Sequence, residues 1–235
     1  MYKGIYLALS GAVLKQRHME VITQNLANAN TVGYKRDGLS FKDYLVASEG
    51  ASPGPDQKVM TDLSAFSTDH SSGNLVQTGN PFDTALEGDG FFSLEGGRFT
   101  RRGDFKVDKE GYLTTHKGLK VLGRKGPIKV PEGKLEIGPD GGLSVDGEAF
   151  DTIRTVDFSK KDTLTKAGEG VFTTKATGIP SKALVRQGYV ETSNVDIVHE
   201  MVRMIETLRE FEAYQKAIHA FDEAAGKANN EIGRL

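Results

Sequence analysis

A long stretch without glycine or proline near the C terminus is the feature that most limits how this chain can fold. Residues 192–225 contain neither residue, and their apolar side chains recur at steps of three and four. That period places the apolar side chains on one face of an α-helix. The stretch predicts a helix of about thirty residues, or about 45 Å, which is much longer than the average helix. Ser193 with Asp196 approximates a capping box at its start.

The N terminus carries a second segment with helical periodicity. Apolar side chains in residues 2–29 fall at steps of mostly three and four, and Asn28 and Asn30 suit a helix end because asparagine tolerates left-handed backbone. The tripeptide ANA at residues 27–29 also fits a signal-peptidase site, so a secretory leader is the alternative interpretation. A leader is cleaved shortly after its apolar core, whereas here the apolar run ends at Leu14 and a basic, polar stretch follows. We therefore expect an amphipathic helix that the mature protein keeps.

Between these ends the chain is rich in glycine, which totals 28 of 235 residues against a typical ~7 %. From Leu75 to Ile179, short alternating or aromatic runs are separated by turn residues. This pattern predicts a compact all-β domain of hairpins. Residues 39–75 include SEGASPGPDQ and DLSAFSTDHSSG, which predict a connector. Arg101 and Arg102 are expected on a solvated strand edge, and a contact to a sugar or a partner is the alternative.

The expected fold class is therefore mixed α and β: an all-β central domain of hairpins, flanked by long N- and C-terminal helices that pair as a coiled coil. A core helix of a globular domain is the simpler alternative for the C-terminal stretch. The expected domains are an N-terminal assembly helix and turn, a connector, a β-rich central domain and a C-terminal assembly helix, at residues 1–38, 39–75, 76–180 and 181–235.

Sequence motifs for catalysis or metal binding are incomplete. The segment HEMVR begins like the zinc motif H-E-x-x-H, but Arg203 stands where the second histidine is needed. The G-x-G of EGDGFF lacks the third glycine and the following helix pattern of a dinucleotide site. A carboxylate pair for glycoside hydrolysis stays open, because folding rather than spacing brings such pairs together. We expect no enzymatic activity, no cofactor and no metal site.

Composition narrows the range of partners. The formal net charge is -2, so no basic field indicates nucleic acid. The chain has no cysteine, which excludes disulfides, thiolate metal sites and cysteine nucleophiles. No apolar run approaches the ~18 residues that a membrane-spanning helix needs. We expect neither nucleic acid nor a small-molecule substrate as a partner.

Three segments resemble one protein family. QNLANANTVGYKRDGLSF near the N terminus, TGNPFDTALEGDGFF with the following RFTRRGDFKVDKEGYLTTHKGLKVLG, and the C-terminal QGYVETSNVDIVHEMVRMIETLREFEAYQKAIHAFDEAAG resemble the flagellar basal-body rod and hook proteins. The blocks occur in the family's order, and TSNVD departs only slightly from the family's SNVN-like form. The residues that carry the family motif are Asn25, Leu26, Asn28, Asn30, Gly33, Tyr34, Ser193, Asn194 and Val195.

The resemblance implies an axial structural protein of the bacterial flagellum that transmits torque for motility. It implies terminal helices that pair into a core around the export channel, with the β domain facing outward. It further implies passage through the flagellar type III export apparatus without a cleaved signal peptide, assembly in the rod that crosses the periplasmic space, and other rod subunits as partners. The short chain, the segment KVLGRKGPIKVP and the ending KANNEIGRL favour the proximal rod subfamily over the longer distal rod protein.

Two other functions stay open at this point: a peptidoglycan-acting enzyme, and a β domain that binds glycans or proteins. On the rod interpretation, the apolar faces of the two helices pack on each other and on adjacent subunits. The expected interface residues are Ile5, Leu9, Ile22, Leu26, Val198, Met201, Ile205, Leu208, Phe211 and Ile218.

Overall fold

The computed structural model describes the backbone of residues 2–46 and 58–232, and the side chains of residues 4–39 and 67–227. Helix α1 spans Tyr2–Ala27 and helix α2 spans Ile197–Ile232. A short 3-10 helix covers Lys161–Thr163. The described strands are β1 Asp37–Val46, β2 Lys58–Thr68, β3 Leu75–Gln77, β4 Thr84–Glu87, β5 Phe91–Leu94, β6 Arg98–Thr100, β7 Lys106–Val107, β8 Leu113–Thr114, β9 Leu135–Ile137, β10 Gly142–Val145, β11 Glu148–Thr152, β12 Thr155–Asp157, β13 Thr165–Lys166, β14 Val171–Thr173, β15 Ile179–Pro180, β16 Leu184–Gln187 and β17 Tyr189–Glu191. The mixed class, with a helix near each end and a β-rich centre, is confirmed.

The start of α2 differs from the expected cap. The Asp196 carboxylate accepts a hydrogen bond from the backbone N–H of His199 at 3.0 Å, and the Asp196 carbonyl accepts from Glu200 N–H at 3.0 Å. Asp196 is therefore the N-cap. The expected cap at Ser193 is wrong, because the Ser193 hydroxyl accepts from the nearby backbone N–H of Val195 instead.

The chain divides into two compact units. The helical unit comprises Met1–Ala27, Asp37–Ser67 and Asp196–Leu235, and the β unit comprises Asn28–Arg36 and Thr68–Val195. Much of the expected connector over 39–75 is extended: β1 and β2 form a two-stranded sheet. Aromatic and β-branched residues on both sides of SEGASPGPDQ favour strands there. The segment SEGASPGPDQ itself lies outside the described residues.

Antiparallel pairing builds the β unit. Its largest sheet has six strands in the order β13-β14-β6-β5-β12-β15, and a three-stranded sheet has the order β11-β10-β9. The pairs β16–β4, β17–β3 and β7–β8 form separate ladders. Short strands joined by turns give the hairpin architecture that the glycine-rich centre predicts.

Strand β5 separates two apolar clusters within the β unit. All four of its residues are buried, so both of its faces are covered. Phe92 and Leu94 belong to the larger cluster, and Phe91 belongs to the smaller one with Val156 and Phe172. Successive strand side chains point to opposite faces, which is why neighbouring phenylalanines enter different clusters. Each fully buried side chain of this size contributes about 1.5–3 kcal/mol relative to exposure.

The helices of the helical unit run antiparallel to each other. A Cβ atom at Gly4 would lie 2.8 Å from the Phe221 ring, and one at Gly11 would lie 2.5 Å from the Tyr214 ring. Further along, Lys15 Nζ lies 2.5 Å from the Glu210 carboxylate. As the residue number on α1 rises, the number of the residue that it contacts on α2 falls, so the two helices are antiparallel. Gly4 and Gly11 are seven residues apart, as are Tyr214 and Phe221, so each ring lies over a glycine.

We predict that Gly11→Ala does not give the stabilisation that the same change gives at an open helical position. Both Gly11→Ala and Gly226→Ala raise helix propensity, which is worth about 0.8–1 kcal/mol for each. No described atom lies within 4 Å of a Cβ atom at Gly226, whereas the Tyr214 ring must move at Gly11. Gly226→Ala should therefore raise the free energy of unfolding, and Gly11→Ala should lower it or leave it unchanged. Urea unfolding followed by helical circular dichroism measures both, and equal gains would contradict the ring position.

Candidate assembly interface

Each helix carries an exposed apolar face. On α2, Val198 is 72 % exposed and Ile205 is 53 % exposed, and neighbouring Met201, Val202 and Leu208 are also exposed. On α1, the exposed side chains are Tyr6, Leu7, Leu9 and Val13. Single exposed apolar residues are ordinary on a protein surface, but a contiguous set is typical of an interaction surface.

The two exposed faces lie toward opposite ends of the helix pair. Because α1 and α2 are antiparallel, Tyr6–Val13 lies beside the part of α2 near Tyr214. The α2 face from Val198 to Leu208 lies beside the C-terminal half of α1, where Asn25 Nδ2 is 3.5 Å from Glu200 Oε2. The centres of the two faces are separated by about thirteen residues, or about 20 Å at the helical rise of 1.5 Å.

The structure places the ten expected interface residues in three environments. Ile22 is buried, and Ile5, Leu26, Phe211 and Ile218 are half-buried. Leu9, Val198, Met201, Ile205 and Leu208 are exposed. The exposed residues thus keep a large part of their side chains uncovered by the other helix, and their contact with another subunit stays a prediction.

The inner seam of the helix pair is more polar than the apolar periodicity indicates. Glu200 and Thr207 are buried on α2, and Asn25 is buried on α1. Burial lowers the pKa of His18, and the charges of Lys15 and Arg203 lower it further. The apolar pattern of the sequence does not predict these buried polar residues. The available signal was the seven-residue spacing of Gly4 with Gly11 and of Tyr214 with Phe221.

Asn25 of the family motif ties the end of α1 to the start of β1. Its Oδ1 accepts from the backbone N–H of Asp37 at 2.9 Å, and its Nδ2 donates to the Asp37 carbonyl at 2.8 Å. The amide therefore satisfies both backbone groups of one residue, as a strand partner would. This explains why asparagine, which carries both a donor and an acceptor, stands here.

The rest of the N-terminal motif forms a turn within the β unit. The Asn28 carbonyl accepts from Thr31 N–H at 3.0 Å, which turns the chain after α1. Gly33 has a φ of 65°, and a Cβ atom there would lie 2.6 Å from the backbone nitrogen of Arg102. Both the left-handed backbone and the close approach require glycine. Tyr34 is buried, with Lys166 Nζ 4.3 Å from its ring centroid.

Asn194 of the C-terminal motif joins two other segments of the β unit. Its Oδ1 accepts from Arg36 N–H at 2.7 Å, and its Nδ2 donates to the Asp69 carbonyl at 2.9 Å. The two family motifs are therefore in contact within one unit, although they are far apart in sequence. Val195 and Ser193 are buried beside it in the chain, while Asn30 is exposed.

Sequence reasoning misplaced Arg101. The expected solvated strand edge is wrong for this residue, because its side chain is only 3 % exposed. The guanidinium is enclosed by backbone carbonyls and by the carboxylate of Glu191. Arg102 does lie nearer the surface, where it pairs with Asp104, and this hydrogen bond raises the pKa of Arg102. A strand-edge argument cannot tell which of two adjacent arginines points inward.

His70 is packed against aromatic rings of the smaller apolar cluster. Its ring centroid is 5.4 Å from that of Phe172 and 5.8 Å from that of Phe91. Burial lowers the pKa of His70 to about 4, and the charges of Lys35, Lys161 and Lys166 act in the same direction. His70 is therefore neutral at neutral pH.

Within the described residues, no group of three or more histidine, aspartate or glutamate side chains is arranged to hold a metal ion. Neither described helix contains a stretch long and apolar enough to cross a lipid bilayer.

Family models match three segments of the chain. Residues 5–35 match the flagella basal body rod protein family, residues 85–145 match the D1 domain of the flagellar hook protein FlgE/F/G, and residues 186–231 match the C-terminal region of the flagellar basal body rod FlgEFG proteins. These are the segments that contain α1 and its turn, the central strands, and α2 with its preceding motif.

Relatives match over nearly the whole chain. The chain is 32 % identical to the flagellar basal-body rod protein FlgG of Bacillus subtilis, with 95 % of this chain and 96 % of the relative covered. It is 34 % identical to FlgF of Mesorhizobium japonicum, with 90 % of each chain covered. It is 29 % identical to FlgF of Caulobacter vibrioides over the full length of both.

Identity to these relatives over almost the whole length defines a structural protein of the flagellar basal body. The chain belongs to the flagellar basal-body rod protein family. It is a structural protein of the basal body rod, and the alternative of a peptidoglycan-acting enzyme is not favoured.

The depressed pKa of His70 predicts that acid destabilises the β unit. The folded-state pKa of about 4 is below the usual 6.5, so the unfolded chain binds more protons between these values. The stabilisation from neutral His70 is complete above about pH 6.5 and is lost as the pH falls toward about 4. His70→Gln should reduce this pH dependence, measured as the free energy of unfolding in urea across that window. His219→Gln, a change at an exposed histidine, is the control and should leave the dependence intact. An unchanged slope in His70→Gln would contradict the assignment.

Proposed function

We propose that this chain is a subunit of the proximal rod that assembles through the exposed apolar faces of its paired terminal helices and transmits torque. The observation that carries the proposal is the presence of two apolar faces at different positions on one helix pair. A subunit repeated by a screw operation meets its neighbours through two different surfaces. Two separate faces fit that requirement, whereas a two-fold dimer uses one surface on both copies.

The helix pair is proposed to be an antiparallel coiled coil. Each helix has two contact residues that are seven positions apart: Gly4 packs against Phe221, and Gly11 packs against Tyr214. A repeat of seven residues keeps a seam facing its partner through a left-handed supercoil. The buried polar side chains near Asn25 and Glu200 suit a pair whose register must be unique, since a buried polar residue at one seam position specifies register.

The proposed setting is the rod where it crosses the periplasmic space, reached through the flagellar export apparatus without removal of a signal peptide. The proposed partners are other rod subunits and, during secretion, that apparatus. The ANA tripeptide supports retention of the segment, because its Ala27 ends α1 and its Asn28 forms the following turn. Cleavage there would remove the N-terminal partner of α2. The amino-terminal sequence of the protein in purified basal bodies tests this directly, and a start at Asn30 would overturn it.

The proximal position is supported by the segment KVLGRKGPIKVP, which resembles that subfamily, and by the match to FlgF proteins. Matches to FlgG proteins have similar identity, so position in the rod must be measured. Electron microscopy of isolated basal bodies, with a label on this subunit, should find it in the part of the rod nearest the cell. A label in the distal part would contradict the proximal assignment and leave the family unchanged.

We predict that Leu208→Asp prevents incorporation into the rod without unfolding the subunit. Leu208 is 45 % exposed, so an aspartate there stays in contact with water in the isolated chain. In an assembled interface, the same carboxylate would be buried without a partner, which is costly. The amount of subunit in purified basal bodies should fall severely and swimming should be lost.

Gln215→Asp is the matched control, because Gln215 is an exposed polar residue of the same helix. It should incorporate like the parent protein. Circular dichroism of both purified variants checks that the subunit is folded. Normal incorporation of Leu208→Asp would show that this face is not an assembly interface.

A further inference from the structure

Three charged side chains are buried together in the β unit. Lys35 is 1 % exposed, Arg101 is 3 % exposed and Glu191 is fully buried. Lys35 Nζ lies 2.6 Å from Glu191 Oε1, and Arg101 Nε donates to Glu191 Oε2. One carboxylate is thus shared by two cations, with one oxygen for each.

The remaining polar atoms of this cluster bond to backbone groups of two further segments. The segment at 71–73 supplies the Ser71 carbonyl, which accepts from Lys35 at 2.6 Å, and the Gly73 N–H, which donates to Glu191 Oε1 at 2.8 Å. The loop at 86–90 supplies three carbonyls that accept from the Arg101 guanidinium, those of Leu86 at 2.8 Å, Gly88 at 2.7 Å and Gly90 at 2.5 Å. The backbone of Glu191 takes part as well, because its carbonyl accepts from Gly33 N–H at 2.7 Å.

The cluster depends unequally on its three members. Removing either cation leaves the carboxylate with the other cation, whereas removing the carboxylate leaves two buried cations with backbone carbonyls and the Ser72 hydroxyl but no negative charge. Breaking a buried ion pair by removing one partner is strongly destabilising, because the remaining charge stays without compensation. Burial also lowers the pKa of Lys35, and Glu191 is the group that opposes this effect most. Glu191 is therefore the member on which burial of both cations depends.

We propose that Glu191 is a positioning residue that holds the turn following α1 and the segment preceding α2 on the loop at 86–90. Lys35 lies just after that turn, two residues before β1 begins, and Glu191 lies six residues before α2 begins. Residues that follow α1 in the chain and residues that precede α2 are thus held together within the β unit by one buried carboxylate. Lys35 and Glu191 are 156 residues apart in sequence, so no local structure replaces the contact. The inference concerns the isolated chain and does not rest on the proposed place in the rod.

The test is Glu191→Gln in the full chain, measured by hydrogen–deuterium exchange of the purified protein. Glutamine keeps the size of the side chain and removes its charge. Exchange should rise about a hundredfold or more in residues 33–36, 71–73, 86–90 and 189–195, in keeping with a broken buried ion pair. The strands β9 and β10 should keep the exchange rates of the parent protein. An unchanged pattern would overturn the proposal, and so would an equal rise throughout the β unit, which would indicate a general loss of stability.

Two further variants test whether Glu191 must serve both Lys35 and Arg101, or only Lys35. In the exchanged pair Lys35→Glu with Glu191→Lys, the new lysine would face Arg101, so protection should not recover. Recovery of protection would show that only the contact between positions 35 and 191 matters, and would overturn the role assigned to the shared carboxylate. Glu87→Gln is the matched control, since Glu87 forms an exposed ion pair with Arg186, and pairs of that kind contribute little. It should leave exchange in all four segments unchanged.

Discussion

A carboxylate buried between two cations joins segments of the β unit that are distant in sequence. Charged side chains leave water only when partners replace their hydration, and here Glu191 with a set of backbone carbonyls does so for Lys35 and Arg101. The apolar clusters on either side of β5 provide bulk stability, but apolar contacts are not directional. The ion cluster is directional, and it joins segments from the beginning, the middle and the end of the chain.

A different balance operates in the helical unit. Close approach of the helices is achieved with glycine beneath aromatic rings, and the larger aliphatic side chains of α2 are left facing outward. An apolar face that the chain does not cover itself is a reason for association, because its burial on another molecule is favourable. A structural protein of a multi-subunit rod needs such surfaces on an otherwise stable subunit. The separation of the two faces by about 20 Å along the helix pair suits contacts that continue from one subunit to the next.

Much of the fold was predictable from periodicity and turn composition. The absence of glycine and proline over residues 192–225 predicts α2, and regular turn signals predict the hairpins of the centre. The strands β1 and β2 were missed because the turn residues between them dominated the interpretation of 39–75. The cap at Ser193 was wrong because the Ser193 hydroxyl bonds to Val195 and the Asp196 carboxylate accepts the helix N–H, a choice that residue spacing alone does not fix.

The sequence alone determined the helical ends, the β-rich centre and the family, since these depend on local periodicity and on motifs that are contiguous in the chain. Only the tertiary structure decided which side of each helix stays exposed, and that Arg101 rather than Arg102 is buried with Lys35 and Glu191. The reason is physical: burial of a charge depends on partners up to 156 residues away, and residue spacing carries no information about them. The same holds for the seam between the helices, where Gly4, Gly11 and Asn25 face α2 although none of them belongs to the apolar pattern.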